Sequence, residues 1–141
     1  MDFGELLNEL AVSLNAIHRR DICRQGETLA LCFMLSSIKN KGIHMSSLAY
    51  KLGVDNSTLT RLIENLERKN LAFRQRDEHD KRIINVFLTN SGEELMLKFS
   101  DRVESLGKNI LDDIPLEKRE LVKEALELLL WRLTRIDVKK N

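Results

Sequence analysis

The middle of the chain carries polar side chains at a spacing suited to contact with a polyanion. Four of them lie three or four positions apart: Ser57, Arg61, Glu64 and Arg68. Three more lie beside these: Thr58, Thr60 and Asn65. Two basic clusters follow further along the chain, Arg74-Gln75-Arg76 and Asp80-Lys81-Arg82. Guanidinium, hydroxyl and amide groups bond phosphate oxygens and base edges in nucleic-acid complexes. The pattern therefore favours nucleic-acid binding.

Apolar residues in the same segment predict the helix that positions these side chains. They follow the spacing i, i+3, i+4 and i+7, at Leu59, Leu62, Ile63 and Leu66. This spacing places them on one face of a helix, opposite Arg61, Glu64 and Arg68. We call this predicted helix the reading helix. It begins after a cap at residues 55–57 and ends near Asn70, which can adopt the left-handed backbone that glycine usually fills.

A shorter helix is predicted just before the reading helix. Ser46 or Ser47 can cap it, it ends at Leu52, and Gly53 makes the turn that follows. Helix, glycine-bearing turn and second helix form the helix-turn-helix pattern.

A hairpin is predicted after the reading helix. The apolar runs 71–75 and 83–88 are typical of strands, and the polar segment 76–82 joins them. A winged helix-turn-helix reads DNA with these two elements, the helix in one groove and the hairpin, or wing, beside it. The predicted fold class is therefore mainly α with a small β-hairpin wing.

Charge is distributed unevenly along a chain of 141 residues whose net charge is only +1. Between Lys39 and Thr89, ten Lys and Arg residues stand against six Asp and Glu, an excess of four positive charges. The remainder carries thirteen against sixteen. The basic excess coincides with the reading helix and wing, where phosphate contacts are needed, although a solvated face could carry the same excess.

Long apolar helices are predicted on both sides of this lobe. We expect a single domain over 1–141, with a winged helix-turn-helix lobe at 27–90 and helices at 2–22 and 91–138. A lobe of this size cannot cover the apolar stripes of such helices, so we expect them to form a homodimer. A monomeric bundle in which the stripes cover one another is the alternative.

Several other classes of protein are disfavoured. We find no apolar run of membrane-spanning length, and the two cysteines lack the spacing of a disulfide scaffold, so we expect a cytoplasmic protein. A phosphate-binding glycine loop, a metal-ligand cluster and a nucleophile–base pair are all absent from the sequence. We therefore expect no enzyme activity, no cofactor and no bound metal.

The segment from Met45 to Gly92 resembles the MarR family of transcriptional regulators. The matching motifs are Leu48-Ala49, Leu52-Gly53-Val54-Asp55, Ser57-Thr58-Leu59-Thr60-Arg61, Leu66-Glu67-Arg68-Lys69, Asp80-x-Arg82, and Leu88-Thr89 with Gly92. Asn70 departs from the family, which usually has glycine there. The resemblance implies a homodimeric winged-helix regulator of a pseudo-palindromic operator, usually a repressor released by a small ligand or an oxidant. The alternative is a winged-helix module that binds another protein and has no DNA target.

Within the reading helix, Arg61 is the strongest candidate for base readout, because a guanidinium can bond guanine O6 and N7 together. Ser57, Thr60 and Asn65 are expected to contact DNA as well. Ser46, Ser47 and Thr58 could bond phosphate or serve as helix caps. Glu64 could accept a hydrogen bond from cytosine N4 or pair with Arg61 or Arg68.

Within the wing, Arg82 is expected to enter the minor groove, where narrow segments concentrate negative potential. Asp80 is expected to pair with Arg82 or Arg76 and hold the hairpin in shape. Arg74, Arg76 and Lys81 are expected to contact the DNA backbone or to remain solvated charges.

Two regulatory hypotheses concern the N-terminal third of the chain. Cys23 is a possible redox site, since neighbouring arginines favour its thiolate, whereas Cys32 is expected to be inert core. A pocket near His18, Arg19 and Arg20 could take a small anionic or aromatic ligand.

Overall fold

The computed structural model describes residues 1–136. Its elements are α1 (Phe3–Ile17), a π-helical turn (His18–Ile22), α2 (Leu29–Ile38), β1 (Ile43–His44), α3 (Met45–Leu52), α4 (Asn56–Arg68), β2 (Ala72–Arg76), β3 (Ile84–Leu88), α5 (Asn90–Asp112), a 3-10 turn (Leu116–Lys118) and α6 (Arg119–Leu133). The predicted fold class is confirmed: a mainly helical chain carries a small wing.

The wing belongs to a three-stranded antiparallel sheet with the order β1-β3-β2. Strand β2 pairs with β3 from Ala72 opposite Leu88 to Arg76 opposite Ile84. The two-residue strand β1 pairs Ile43 with Val86, and it was not predicted because two residues show no periodicity. Through β1 the wing is joined to the start of α3.

The core lies where the helix-turn-helix meets the sheet. Three of the four residues of the predicted apolar face of α4 are buried, with Leu59 and Ile63 fully enclosed and Leu66 nearly so, whereas Leu62 is half-buried. Leu35 of α2 and Val86 of β3 are also fully buried. Burying these side chains fixes which face of α4 points outward.

Two of the predicted helical regions differ in detail from the structure. The helix predicted over 2–22 extends from Phe3 to Ile22, but only Phe3–Ile17 is α-helical and the remainder is the π-helical turn. Within the helical region expected over 91–138, α5 ends at Asp112 and α6 begins at Arg119, after Pro115 and a 3-10 turn, because proline lacks the backbone N–H that a continuing helix needs. Positions 137 and 138 of the expected dimerisation region lie outside the described residues.

The serine caps expected for α3 were also wrong. His44 occupies the N-cap position and provides no side-chain cap, while Ser46 and Ser47 lie exposed in the first turn. Pairing of His44 in β1 sets the position at which the helix begins. The left-handed conformation expected at Asn70 is confirmed, with a φ of 57°.

Contacts within the chain define two compact units, residues 1–103 and residues from Glu104 onward. In the first unit, α1 buries none of its residues and leaves Phe3, Leu6 and Leu14 exposed. In the second, the described part of α6 likewise exposes Leu128 and Trp131. No helix within residues 1–136 is long and apolar enough to cross a membrane.

Candidate nucleic-acid interface

The start of α4 is fixed by Asp55. Its Oδ1 accepts hydrogen bonds from the Thr58 backbone N–H at 2.7 Å and from the Ser57 hydroxyl at 2.8 Å. These bonds, that of the Thr58 amide first, lower the pKa of Asp55 below its ordinary value of 3.8. Ser57 therefore serves the cap in this structure, and its contact with DNA stays a prediction.

The exposed face of α4 forms an open depression of about 460 Å³. Its lining residues are Thr58, Arg61, Leu62, Glu64, Asn65 and Arg68. Arg61 is exposed, and Arg68 donates a hydrogen bond to the Asn65 side-chain oxygen. Of the residues predicted to contact DNA from this helix, Thr58, Arg61 and Asn65 are thus brought together on one surface, whereas Ser57 and Thr60 do not line it.

The two acidic residues of α4 differ in their partners. Glu67 forms an ion pair with Arg74 of β2 at 2.8 Å, which ties the helix to the wing. Glu64 forms no ion pair with Arg61 or Arg68 in the described structure. Arg74 is thus held by Glu67 in this structure, and its contact with the DNA backbone stays a prediction.

A second depression, of about 310 Å³, lies where α3, α4 and the wing meet. Ser46, Thr60, Arg74 and Arg82 all line it. The Thr60 hydroxyl also donates to the backbone oxygen of Asn56 at 2.8 Å. Residues predicted to contact DNA from α3, α4 and the wing therefore share one concave surface.

At the wing tip, Asp80 and Arg82 form a bidentate pair. Arg82 Nε donates to Asp80 Oδ1 at 3.0 Å, and Nη2 donates to Oδ2 at 2.9 Å. The pairing expected for Asp80 is present, and its partner is Arg82. Arg82 lowers the pKa of Asp80, and its own side chain remains 91% exposed.

Arg76 and Lys81 close the base of the same loop. Arg76 Nη1 donates to the backbone oxygen of Lys81 at 2.7 Å, so its guanidinium helps to shape the hairpin. The Lys81 side chain is exposed. The charge of Lys81 is therefore more available for a contact with DNA than that of Arg76.

A series of hydrogen bonds links the wing to α3. The sequence analysis did not predict it. Asp77 Oδ2 accepts the backbone N–H groups of His79 and Asp80, both at 3.0 Å, and its Oδ1 accepts from Asn85 Nδ2 at 3.0 Å. Asn85 Oδ1 in turn accepts from His44 Nδ1. The bond from Asn85 contributes most to lowering the pKa of Asp77. The polar residue Asn85, at the second position of the otherwise apolar strand β3, was the available signal.

The two cysteines lie side by side. Their Sγ atoms are 3.3 Å apart, Cys23 is half-buried and Cys32 is buried. Burial and the neighbouring Cys23 raise the pKa of Cys32 to about 12. Cys32 is core as expected, but its contact with Cys23 was not anticipated.

The three residues suggested for a ligand pocket have different environments. The His18 ring packs on Phe33, with centroids 5.5 Å apart, and its Nδ1 donates to the Leu14 carbonyl at 2.8 Å. Arg19 and Arg20 are exposed. Nearby, Arg102 of α5 donates to the Ile22 carbonyl at 2.9 Å, so this region is joined to α5.

Comparison with known proteins adds independent findings. A family model described as "MarR family" matches residues 28–84. The HTH-type transcriptional repressor MdtR of Bacillus subtilis is 30% identical over 105 residues, which cover 69% of this chain and 66% of MdtR. The matched segments span 43% to 51% of the other curated relatives.

Solved structures share the fold. A MarR family protein from Bacillus stearothermophilus superposes with a TM-score of 0.80 at 22% identity, covering 94% of this chain and 93% of that one. The S. aureus MepR–DNA complex gives a TM-score of 0.75 at 23% identity, covering 94% of this chain and 99% of that one. Family match, curated relative and fold agree, and we conclude that this chain belongs to the MarR family.

Proposed function

We propose that the protein is a sequence-specific DNA-binding regulator of transcription, with α4 in the major groove and the β2–β3 hairpin in the adjacent minor groove. The observation that carries this proposal is the wing tip, where Asp80 holds a guanidinium that is 91% exposed. Arg61 supplies a second exposed guanidinium on α4. The structural similarity to MepR, which was solved in complex with DNA, supports DNA binding.

The active form in this proposal is a homodimer. The exposed apolar residues of α1 and α6 need a partner, because large apolar patches on a soluble surface mark interaction sites. A second copy of the chain offers the same surfaces in two-fold symmetry. Two reading helices would then meet successive major grooves, about 34–36 Å apart, on a pseudo-palindromic operator.

Repression is the proposed outcome of binding. The relative MdtR is named a transcriptional repressor, and a dimer seated on an operator excludes other proteins from the same DNA. We expect the protein to work in the cytoplasm, with the chromosome, and its action involves no catalysis.

Release from DNA is proposed to follow an oxidant or a small ligand. Arg19 and Arg20 provide exposed positive charge for an anionic aromatic ligand beside His18. For an oxidant, the Cys23 thiolate would attack a peroxide to give a sulfenic acid and water or an alcohol. The Cys32 thiol would then displace water from it, forming a disulfide.

The proposed response to an oxidant can be tested on the thiols of Cys23 and Cys32. Peroxide treatment should join Cys23 to Cys32 and lower the mass by two hydrogens, and the effect should be reversed by dithiothreitol. Cys23 should react first, because the raised pKa of Cys32 keeps its thiol protonated. The Cys32→Ser variant should stop at the sulfenic acid. If mass spectrometry finds no disulfide, or if oxidised protein binds DNA unchanged, the oxidant signal is wrong.

DNA binding itself is tested by a gel shift on the promoter next to the gene, with sedimentation at the same protein concentration. We expect a dimer that shifts this DNA and resists competition by a scrambled duplex. A protein that binds no DNA and instead captures another protein would favour the protein-binding module.

A further inference from the structure

One charge on α4 does not fit a surface that only holds phosphates. Asp55 caps the helix and Glu67 is paired with Arg74 at 2.8 Å. Glu64 is exposed, and within residues 1–136 no ion pair or hydrogen bond of its side chain is present. Neither neighbouring arginine forms an ion pair with it in the described residues, and Arg68 donates to Asn65 instead.

Glu64 lies in the middle of the exposed face of α4. It lines the same depression as Arg61 and Arg68, three residues after the first and four before the second. A carboxylate near DNA phosphates is repelled, so a helix pose that brings both arginines to the DNA must direct Glu64 towards base edges. Those edges carry the donors that a carboxylate can use.

Cytosine is the base whose major-groove edge suits a carboxylate. Its N4 amino group is a donor, whereas adenine places its N6 donor beside the N7 acceptor, which a carboxylate cannot satisfy. Glu64 follows Arg61 by about 4.5 Å along the helix axis, close to the roughly 3.4 Å between base pairs. A helix lying along the major groove would therefore bring the two side chains to neighbouring base pairs.

We propose that Glu64 is a specificity-determining residue that accepts a hydrogen bond from cytosine N4, at the base pair next to the one that Arg61 contacts. This inference rests on the proposed function. A single hydrogen bond to a charged acceptor is worth about 10-fold to 150-fold in an equilibrium constant, and other bases lose it.

The experiment is selection of binding sites from a random duplex library, followed by titration of the selected site and of a scrambled duplex. The proteins are wild type, Glu64→Ala, Glu64→Gln, Arg61→Ala and, as control, Glu94→Gln, an exposed residue of α5. We expect Glu64→Ala to lose the cytosine preference at one pair per half-site. Glu64→Gln should move it to adenine, which an amide bonds at N6 and N7. The control should select the wild-type site.

The affinities should change in opposite directions. Glu64→Ala should bind the selected site at least about fivefold more weakly and the scrambled duplex about twofold to fivefold more tightly, because a repelled charge is removed. A variant that binds both duplexes more tightly would mean that Glu64 only occupies a solvated face. A changed preference only at the pair altered by Arg61→Ala would mean that Glu64 orients Arg61. Either result overturns the proposal for Glu64. If the wild-type protein selects no site, both this proposal and the proposed function are overturned.

Discussion

Arg82 illustrates how a single residue is prepared for binding. Its guanidinium is 91% exposed and still makes two side-chain bonds to Asp80. Exposed ion pairs contribute little to stability, so the consequence of this pair is the direction in which the guanidinium points. The positive charge is held at the wing tip before DNA arrives, which reduces the entropy lost on binding.

Arg82 and Asp80 should differ in how much each contributes to operator binding. Arg82→Ala should weaken binding to the operator tenfold or more and reduce its dependence on salt, because fewer counterions are released. Asp80→Asn should cause a smaller loss, since it frees the guanidinium without removing it. Fluorescence anisotropy at several salt concentrations measures both effects.

A double variant distinguishes orientation from independent contact. If Asp80 acts through Arg82, Asp80→Asn should add little to the loss already caused by Arg82→Ala. Lys98→Ala, which removes an exposed charge from α5, is the control. Unchanged affinity in Arg82→Ala would remove the wing from the proposed interface.

At the scale of elements, capping determines where α4 begins. Asp55 accepts two hydrogen bonds there, and its pKa is lowered. A carboxylate with a lowered folded-state pKa stabilises the protein above its unfolded pKa near 3.8, and this stabilisation is lost as the pH falls through the folded value.

Asp55→Ala should therefore lower the melting temperature at pH 7, and the difference from wild type should shrink as the pH falls below 3.8. Asp55→Asn keeps an oxygen acceptor and should retain much of the cap at either pH. Thermal melting by circular dichroism measures this, and a difference independent of pH would contradict the role of the carboxylate.

The junction of α4, β2 and α5 depends on a close backbone approach. The Thr89 hydroxyl donates to the Asn70 carbonyl at 2.7 Å and accepts from the Gly92 amide at 3.0 Å. A Cβ at Gly92 would collide with the Leu71 carbonyl oxygen. The position tolerates no side chain.

Gly92→Ala should thus reduce the free energy of unfolding by about 1–3 kcal/mol, the usual cost of overpacking. Gly107→Ala in the same helix is the control, because a Cβ there meets nothing within 4 Å. It should stabilise by about 0.5–1 kcal/mol. Urea denaturation at one protein concentration measures both, and equal effects would contradict the steric argument.

At the scale of the whole molecule, the exposed apolar residues of the terminal helices argue for a second chain. Leu6 of α1 is 54% exposed and Leu128 of α6 is 68% exposed. Burying such side chains between subunits contributes about 1.5–3 kcal/mol each. A charge placed on these surfaces should therefore weaken association strongly.

The variant Leu6→Glu/Leu128→Glu should sediment as a monomer. It should bind the operator more than tenfold more weakly, since two linked reading helices no longer bind the same DNA together. Asn8→Glu adds the same charge to an already polar position of α1 and should leave the assembly intact. A wild-type protein that sediments as a monomer at micromolar concentration would refute the proposed dimer.

The sequence by itself determined the elements and the outward side of α4, because helix and hairpin signals are local. The spacing of Leu59 and Ile63, the cap at Asp55 and the turn at Asn70 involve only near neighbours in the chain. The same reasoning misplaced the cap of α3 and missed β1, since both depend on a strand that lies far along the sequence.

Only the tertiary structure decided which side chains meet across long stretches of chain. His44 bonds Asn85 across 41 positions, and Arg102 reaches the Ile22 carbonyl across 80. Such pairs depend on how the packed helices and strands direct the chain through space, which no local spacing records. Residue types showed what chemistry was available, and the fold selected the partners.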